Sequence, residues 1–304
     1  VQKAACRPRR FYHKDPRDKK QRLPFLQNAD QRDLGVRLVA RKQGIFDKCF
    51  IENPMTSVGR HNEEIQRNIR LWKKKPVLNL IYRNFHETIA RQLPNLPAGL
   101  VVELGSGAVD ITETIPQCVR TDIFPNPWID RVENAYDLSF PDASVSTVIL
   151  FDVFHHLRYP GTALSEIRRV LVPAGRVIIF EPCVSLLGLI VYGVFHDEPL
   201  AMKQPVQWEA PKSWSPADLD YYAAQGNATR IFLRQGMPIA DSGFCMLTTK
   251  RISAISYVAS GGYSKPQLYP DRAFPLMRFV DRMCDLLPGI FGTRLLVVLE
   301  KTVK

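Results

Sequence analysis

Residues Leu100 to Leu104 form a short apolar run carrying one acid, Glu103, and they break directly into Gly105-Ser106-Gly107. A run this short, preceded by Pro97 and Gly99 and followed by glycines, reads as a strand and not a helix. Glycines at its end let backbone amides approach a ligand with no Cβ in the way. The acid places a carboxylate within reach of a cationic or amino group. Three more strands follow in the same style. Cys118 to Thr121 ends at Asp122, and Val145 to Phe151 ends at Asp152. Arg176 to Phe180 comes after a Pro173/Gly175 turn. Between the last two, Thr162 to Leu171 reads as a helix with Leu164, Ile167 and Leu171 on one face. Strands alternating with helices predict an α/β fold with a doubly wound, mostly parallel sheet. Such sheets bind ligands beyond the carboxyl ends of their strands, and Asp122 stands where the second strand offers an acceptor to ribose hydroxyls.

The flanks are helical on one side and mixed on the other. Glu63 to Lys74 carries Ile65, Ile69 and Trp72 at helical spacing, and Lys73, Lys74 and Lys75 close it favourably for the helix dipole. Val77 to Leu93 gives a second amphipathic stripe. Residues 196–248 are irregular and contain Trp208 and Trp214, as expected of an insertion covering the strand ends. The tail predicts a strand (Ile252 to Val258), a helix (Ala273 to Leu287) and a strand (Arg294 to Glu300). The expected organisation is a basic arm over 1–62, helices over 63–98 and an α/β domain over 99–304.

Charge separates the arm from the body. The first 75 residues hold 20 Lys and Arg against 8 Asp and Glu, a net of +12, whereas residues 76–304 hold 21 against 22. Arg7, Arg9, Arg10, Lys14, Arg17, Lys19, Lys20 and Arg22 are clustered, with Phe11 and Tyr12 placed among them to stack on unpaired bases. Pro8, Pro16 and Pro24 oppose a continuous helix there. A basic arm on a neutral body predicts a polyanion partner, RNA or a ribonucleoprotein first, the alternatives being a solvated tail with no partner and then an anionic membrane. The 45% apolar content of the 304 residues excludes wholesale disorder. The longest apolar run, Leu186 to Phe195, is too short to span a bilayer, so a soluble protein is expected. Six scattered cysteines show no CxxC pair, and no metal-ligand spacing is evident. The chain begins with Val, which is compatible with a removed targeting segment or with trimming.

Further along, Leu138-Ser-Phe-Pro-Asp-Ala-Ser144, then Val148-Ile-Leu-Phe-Asp-Val-Phe-His-His-Leu157, then Glu166-Ile-Arg-Arg-Val-Leu-Val-Pro-Ala-Gly-Arg176 follow the glycine turn in order. Together they resemble class I S-adenosylmethionine (SAM)-dependent methyltransferases, most closely the type 11 branch. The resemblance covers residues 100–182 and implies a seven-stranded Rossmann-like sheet with SAM as cofactor. It implies that Glu103, Gly105 and Gly107 line the methionine side and that Asp122 takes the ribose hydroxyls. Asn134 and Ala135 fall where the family contacts adenine, and Asp152 and Val153 begin the loop facing the methyl group.

Two departures from the family pattern, Ala108-Val109 in place of a third glycine and Asn134 in place of an acid, point to weakened or lost cofactor binding and to an assembly factor without catalysis. His155 and Asp152 are the catalytic candidates, His being the usual proton acceptor near neutral pH. Cys183 lacks the Thr-Cys-Ser setting of RNA cytosine-carbon methylation. Combined with the basic arm, the resemblance implies action on or docking to ribosomal RNA and its assembly proteins, in the mitochondrial matrix or otherwise in the cytoplasm. The other class of reading is a small-molecule or lipid methyltransferase, with Leu186–Phe195 and the aromatic insertion shaping its pocket.

Overall fold

The computed structural model describes residues 57–304 except 197, 219–221, 235–238, 240–241 and 304. Residues 1–56 of the expected arm, including every Arg and Lys from Arg7 to Arg22, lie outside the described residues, and positions 57–62 belong to a helix. Ser57–Lys304 form one compact unit. It opens with α1 (Ser57–Lys74) and α2 (Pro76–Ala90) and continues through β1 (Leu100–Leu104), β2 (Cys118–Asp122), β3 (Arg131–Val132) and β4 (Val145–Phe151). Next come α3 (Pro160–Val170), β5 (Leu171–Pro182) and α4 (Leu186–Val194). After the insertion follow β6 (Phe244–Ser253), α5 (Ile255–Ser260), α6 (Phe274–Cys284), α7 (Pro288–Phe291) and β7 (Gly292–Lys301).

The seven strands form one sheet in the order β3-β2-β1-β4-β5-β7-β6. β3 to β5 run parallel, while β7 lies antiparallel to both β5 and β6. The expected doubly wound, mostly parallel seven-stranded sheet is what is found, with one antiparallel hairpin at its edge. Period-2 alternation sorts the strand residues onto two cores. Val102, Leu104, Val148, Leu150, Val177, Ile179 and Val297 face one cluster with Leu164 and Ile167 of α3. Val101, Ile149, Phe151, Ile178, Phe180 and Val298 face the other, against Val77, Leu78, Ile81, Phe85 and Ile89 of α2. Burial on both faces explains why these strands read as continuous apolar runs. Each large aliphatic or aromatic side chain so buried is worth about 1.5–3 kcal/mol.

Three element readings are corrected. The segment Ile252 to Val258 is not a strand: β6 ends at Ser253 and the chain turns into α5, because Asp281 and Asp285 of the adjoining segment take the amides of Ser256 and Ser253 away from the ladder. Strand β6 begins at Phe244, inside the range expected for the insertion. Strand β5 starts at Leu171 and runs through the Pro173/Gly175 turn, with a register irregularity opposite Val145 and Thr147 and Ala174 at φ 60°.

The insertion packs onto the sheet's carboxyl edge. Trp214 makes edge contacts with Tyr136 and Tyr159 at 4.9 and 5.0 Å. Trp208 stacks onto the start of α3, where its carbonyl accepts the Gly161 N–H at 2.8 Å. A Cβ on Gly161 would lie 2.4 Å from Trp208 Nε1. Gly161→Ala should therefore push Trp208 out of its seat, with a red-shifted tryptophan emission and a loss of about 1–3 kcal/mol in urea unfolding.

Candidate active site

One cavity of about 1620 Å³ runs along the carboxyl ends of β1, β2, β4 and β5. One end is built by β1 and its turn. Gly105 and Gly107 have φ of 73° and 52°, a region that favours glycine. At Gly105 a Cβ would also stand 2.4 Å from Val153 Cγ2, so the close approach of the β1 and β4 loops requires that glycine. The turn is tied down by Ser106, whose N–H donates to Thr121 O at 2.8 Å and whose Oγ accepts the Thr121 N–H at 3.1 Å. The Trp128 indole N–H donates to Gly107 O. The chain then enters only a single 3-10 turn, Ile111–Glu113, capped by Asp110, where a longer crossover helix is common.

Glu103 is buried at the base of this turn, and its Oε2 has no hydrogen-bond partner. Burial pushes its carboxyl up to about 7, against the pull of the Ser106 hydroxyl. An orphaned buried carboxylate oxygen beside a glycine cradle suits an ammonium group. Asp122, at the end of β2, is also buried, lines the same cavity and accepts the Phe124 N–H at 3.3 Å. Asn134 and Ala135 lie at the far side of this end. Both ends of the Asn134 amide are engaged by backbone, Oδ1 accepting the Tyr136 N–H and Nδ2 donating to Pro216 O, each at 3.0 Å. Val109 packs against the α2-side core while also reaching the cavity. Glu103, Gly105, Gly107 and Asp122 thus meet at one end, and they fit a cofactor that carries an amino group and a ribose.

Asp152, at φ 56°, forms an ion pair with Arg294, which is buried under aromatic rings. Its guanidinium carbon lies 4.7 Å from the Tyr257 ring centre and 5.2 Å from that of Phe85. His155 follows on the Phe154–His156 turn and is buried. Its Nδ1 donates to Glu181 Oε2 at 2.7 Å, while Glu181 Oε1 accepts the Phe154 N–H at 2.7 Å. Burial works to lower the His155 pKa, yet the Glu181 and Glu198 carboxylates prevail and hold it well above the ordinary value. His155 and Asp152 therefore face the cavity together, both committed to strong partners. Cys183 is buried in the α3-side core and absent from the cavity wall, with its thiol pushed up by burial.

The structure adds wall residues that the sequence reading missed. Tyr82 and His86 come from α2, Tyr257 and Tyr263 from α5 and the turn after it, and Glu198 from the insertion, while Tyr192 and Phe195 belong to the Leu186–Phe195 stretch already read as shaping a pocket. Each lies far in sequence from the glycine turn. The aromatic spacing within α2 was the one available signal.

Residues 103–179 match the type 11 methyltransferase family, described as a methyltransferase domain. A demethylmenaquinone methyltransferase of Symbiobacterium thermophilum is 33% identical over 91 residues, which is 29% of this chain and 36% of that protein. The chain thus spans about a third of that relative's length. Among solved structures, the Haloferax volcanii complex of the Trm112 methyltransferase activator with a methyltransferase aligns at 17% identity and TM-score 0.45, over 78% of this chain and 97% of that one. The [4+2]-cyclase SpnF aligns at 13% and 0.42, over 73% and 81%. A SAM-dependent methyltransferase from Archaeoglobus fulgidus aligns at 13% and 0.41, over 72% and 94%. These structural likenesses bear on neither substrate nor partner. With the motifs of β1 to β5 and the family match, residues 103–179 are those of a class I SAM-dependent methyltransferase domain of the type 11 kind.

Glu103 yields a pH prediction. Its folded pKa of about 7 exceeds the ordinary 4.5, so the folded chain keeps a proton that the unfolded chain has released between those values. That contribution to stability is fully present below pH 4.5 and is lost as pH rises through 7, on the order of 3 kcal/mol in all. Glu103→Gln should unfold in urea at pH 8 at higher denaturant than the native chain, with the two converging near pH 4.5. Pairing of the ionised carboxylate with an ammonium should make SAM binding at pH 6.5 release a proton. Calorimetry in two buffers of different ionisation enthalpy reads that proton, and Glu103→Gln should abolish it.

Proposed function

We propose that this chain transfers a methyl group from SAM to a small, largely apolar or lipid-borne acceptor. The observation that carries this reading is the continuity of the cavity. Glu103, Gly105 and Asp122 line the same cavity as Tyr82, Phe151, Tyr192, Phe195, Tyr257 and Tyr263. Its volume exceeds the roughly 300–1,000 Å³ of single-ligand sites, as a cofactor beside an acceptor requires. SAM, when bound, supplies an electrophilic methyl on a sulfonium. Gly105 and Val153 set where the acceptor's nucleophilic atom must stand, since alignment is the main requirement of such a displacement.

The outer surface supports an apolar acceptor. On α4, Leu186, Leu189, Ile190 and Val194 are exposed along one face, with Phe195 exposed where it also lines the cavity. On and after α6, Leu276, Phe279, Met283, Leu287 and Ile290 are exposed while Asp281 of the same helix is buried. Apolar faces turned outward over polar ones mark contact with something other than water. No described helix is long and apolar enough to cross a membrane.

The test is incubation with methyl-labelled SAM and a total cell extract divided into lipid, small-molecule and RNA fractions. Label is expected in the organic-soluble fraction and should be lost in Asp122→Ala. Label confined to RNA would overturn the reading.

A second reading rests on the +12 charge of the first 75 residues. There the chain acts on or docks to ribosomal RNA and its assembly proteins, with the mitochondrial matrix as its setting and catalysis reduced or lost. It predicts RNA binding that falls steeply between 50 and 200 mM salt, by about 10³-fold or more for six or more phosphate contacts. Filter binding of the full chain against a chain lacking residues 1–24 measures it, and deletion should abolish the salt-dependent part.

A further inference from the structure

Where the insertion meets the Phe154–His156 turn, two histidines and a carboxylate converge. His155 Nε2 lies 3.3 Å from Glu198 Oε2, and His156 Nε2 lies 3.6 Å from Glu198 Oε1. The donor atoms of these three residues all fall within 4.8 Å of one another. Both imidazoles are oriented from behind. The Nδ1 of His155 donates to Glu181 at 2.7 Å, and the Nδ1 of His156 donates to the Tyr222 carbonyl, which can only accept, at 2.9 Å. With its ring proton on Nδ1, His156 directs its Nε2 lone pair at this carboxylate, and His155 does the same once its second proton is displaced. A lone pair and a carboxylate facing one another at this range need a cation between or beside them, and a metal ion that replaces the His155 proton supplies it. Carboxylate and carbonyl acceptors behind metal-binding histidines are the usual second layer of such sites.

We propose that His155, His156 and Glu198 bind one divalent transition-metal ion in the wall of the cavity. Metal–nitrogen and metal–oxygen bonds of about 2.0–2.2 Å in a tetrahedral set put neighbouring donor atoms about 3.3–3.5 Å apart. The His155 separation to Glu198 Oε2 matches this, while His156 stands slightly farther off, against the other carboxylate oxygen. His156, with a third of its side chain exposed, is the ligand able to adjust. Two imidazoles and one carboxylate select zinc, cobalt, nickel or iron over magnesium and calcium. Gln225, buried beside the site, donates to Glu198 Oε2 and leaves its own Oε1 without a partner, a fixed polar support for the carboxylate. His196 is not a ligand in this arrangement, since its Nδ1 accepts the Glu198 N–H at 3.2 Å. Three protein ligands leave a coordination position for a polar group of the acceptor, a role that rests on the methyltransferase reading although the metal site does not.

The sequence hides this site because the paired histidines close a strand and the third donor comes from the far side of α4. The test titrates the metal-stripped full chain with Zn²⁺ by calorimetry, beside Glu198→Gln and His156→Gln, with circular dichroism to verify folding. One equivalent is expected to bind to the native chain, weakened at least tenfold in each variant. A folded native chain that binds no zinc, or variants that bind it as tightly, would overturn the proposal in favour of a His155 imidazolium bridging two carboxylates. The visible spectrum of the Co²⁺-loaded native chain decides independently of the variants. Intense d–d bands of a four- or five-coordinate ion are expected, and the weak bands of a hexa-aqua ion would overturn it. SAM titration of the same samples separates the two readings: a chain that binds zinc but not SAM keeps the metal site and loses the methyltransferase reading.

Discussion

The ion pair between Arg294 and Asp152 joins the antiparallel edge of the sheet to the loop that shapes the cavity. Arg294 enters from β7, and its guanidinium is enclosed by Phe85, Phe151, Phe180 and Tyr257. An arginine so desolvated is tolerable only with a counter-ion, and removing one partner of such a pair typically costs about 3–5 kcal/mol. Asp152 is that counter-ion, and the pairing helps hold it in the left-handed region. Its N–H donates to Phe180 O at 3.0 Å, which fixes the loop to β5. From that fixed point Val153 falls over Gly105, and the next turn carries His155 onto Glu181. The aromatic chamber, the glycine cradle and the histidine pair are thus held in register by one buried charge.

A consequence is that the cofactor end does not rely on a crossover helix. Between β1 and β2 the chain makes a single 3-10 turn, so few helix-terminal amides are offered there. Rigidity comes instead from cross-ties: Ser106 to Thr121, the Thr121 hydroxyl to Glu103 O at 2.8 Å, and Trp128 to Gly107 O. Asp130 adds a two-point grip on Arg120 beneath the turn. The shortened connection also explains how Ala108-Val109 is accommodated. With no helix to pack at that point, Val109 lies against the α2-side core.

The central sheet was legible because its strands are buried on both faces and bounded by glycine, proline and acids. Strands β1, β2 and β4, and the helix before β5, lie where the apolar runs put them, and β5 contains its expected run but starts earlier, at Leu171. Gly105, Asp122 and Asp152 also lie where expected, since strand ends and tight turns are local properties of the chain. Illegible were the features made by distant partners. The segment from Ile252 reads as a strand by its β-branched content, but Asp281 and Asp285 claim its amides. Arg294 reads as an ordinary strand-end cation until four aromatic rings from α2, β4, β5 and α5 close around it. Glu198 lies in an irregular stretch with no period to single it out.

Charge along the cavity completes the functional argument. One end holds Glu103 and Asp122, both buried. Elsewhere on its wall Arg294 pairs with Asp152 and His155 with Glu181 and Glu198, and Arg67, Arg70 and Lys265 line it as well. Two buried acids beside the glycine turn favour a ligand with its positive charge there, as a cofactor with an amino group and a sulfonium has.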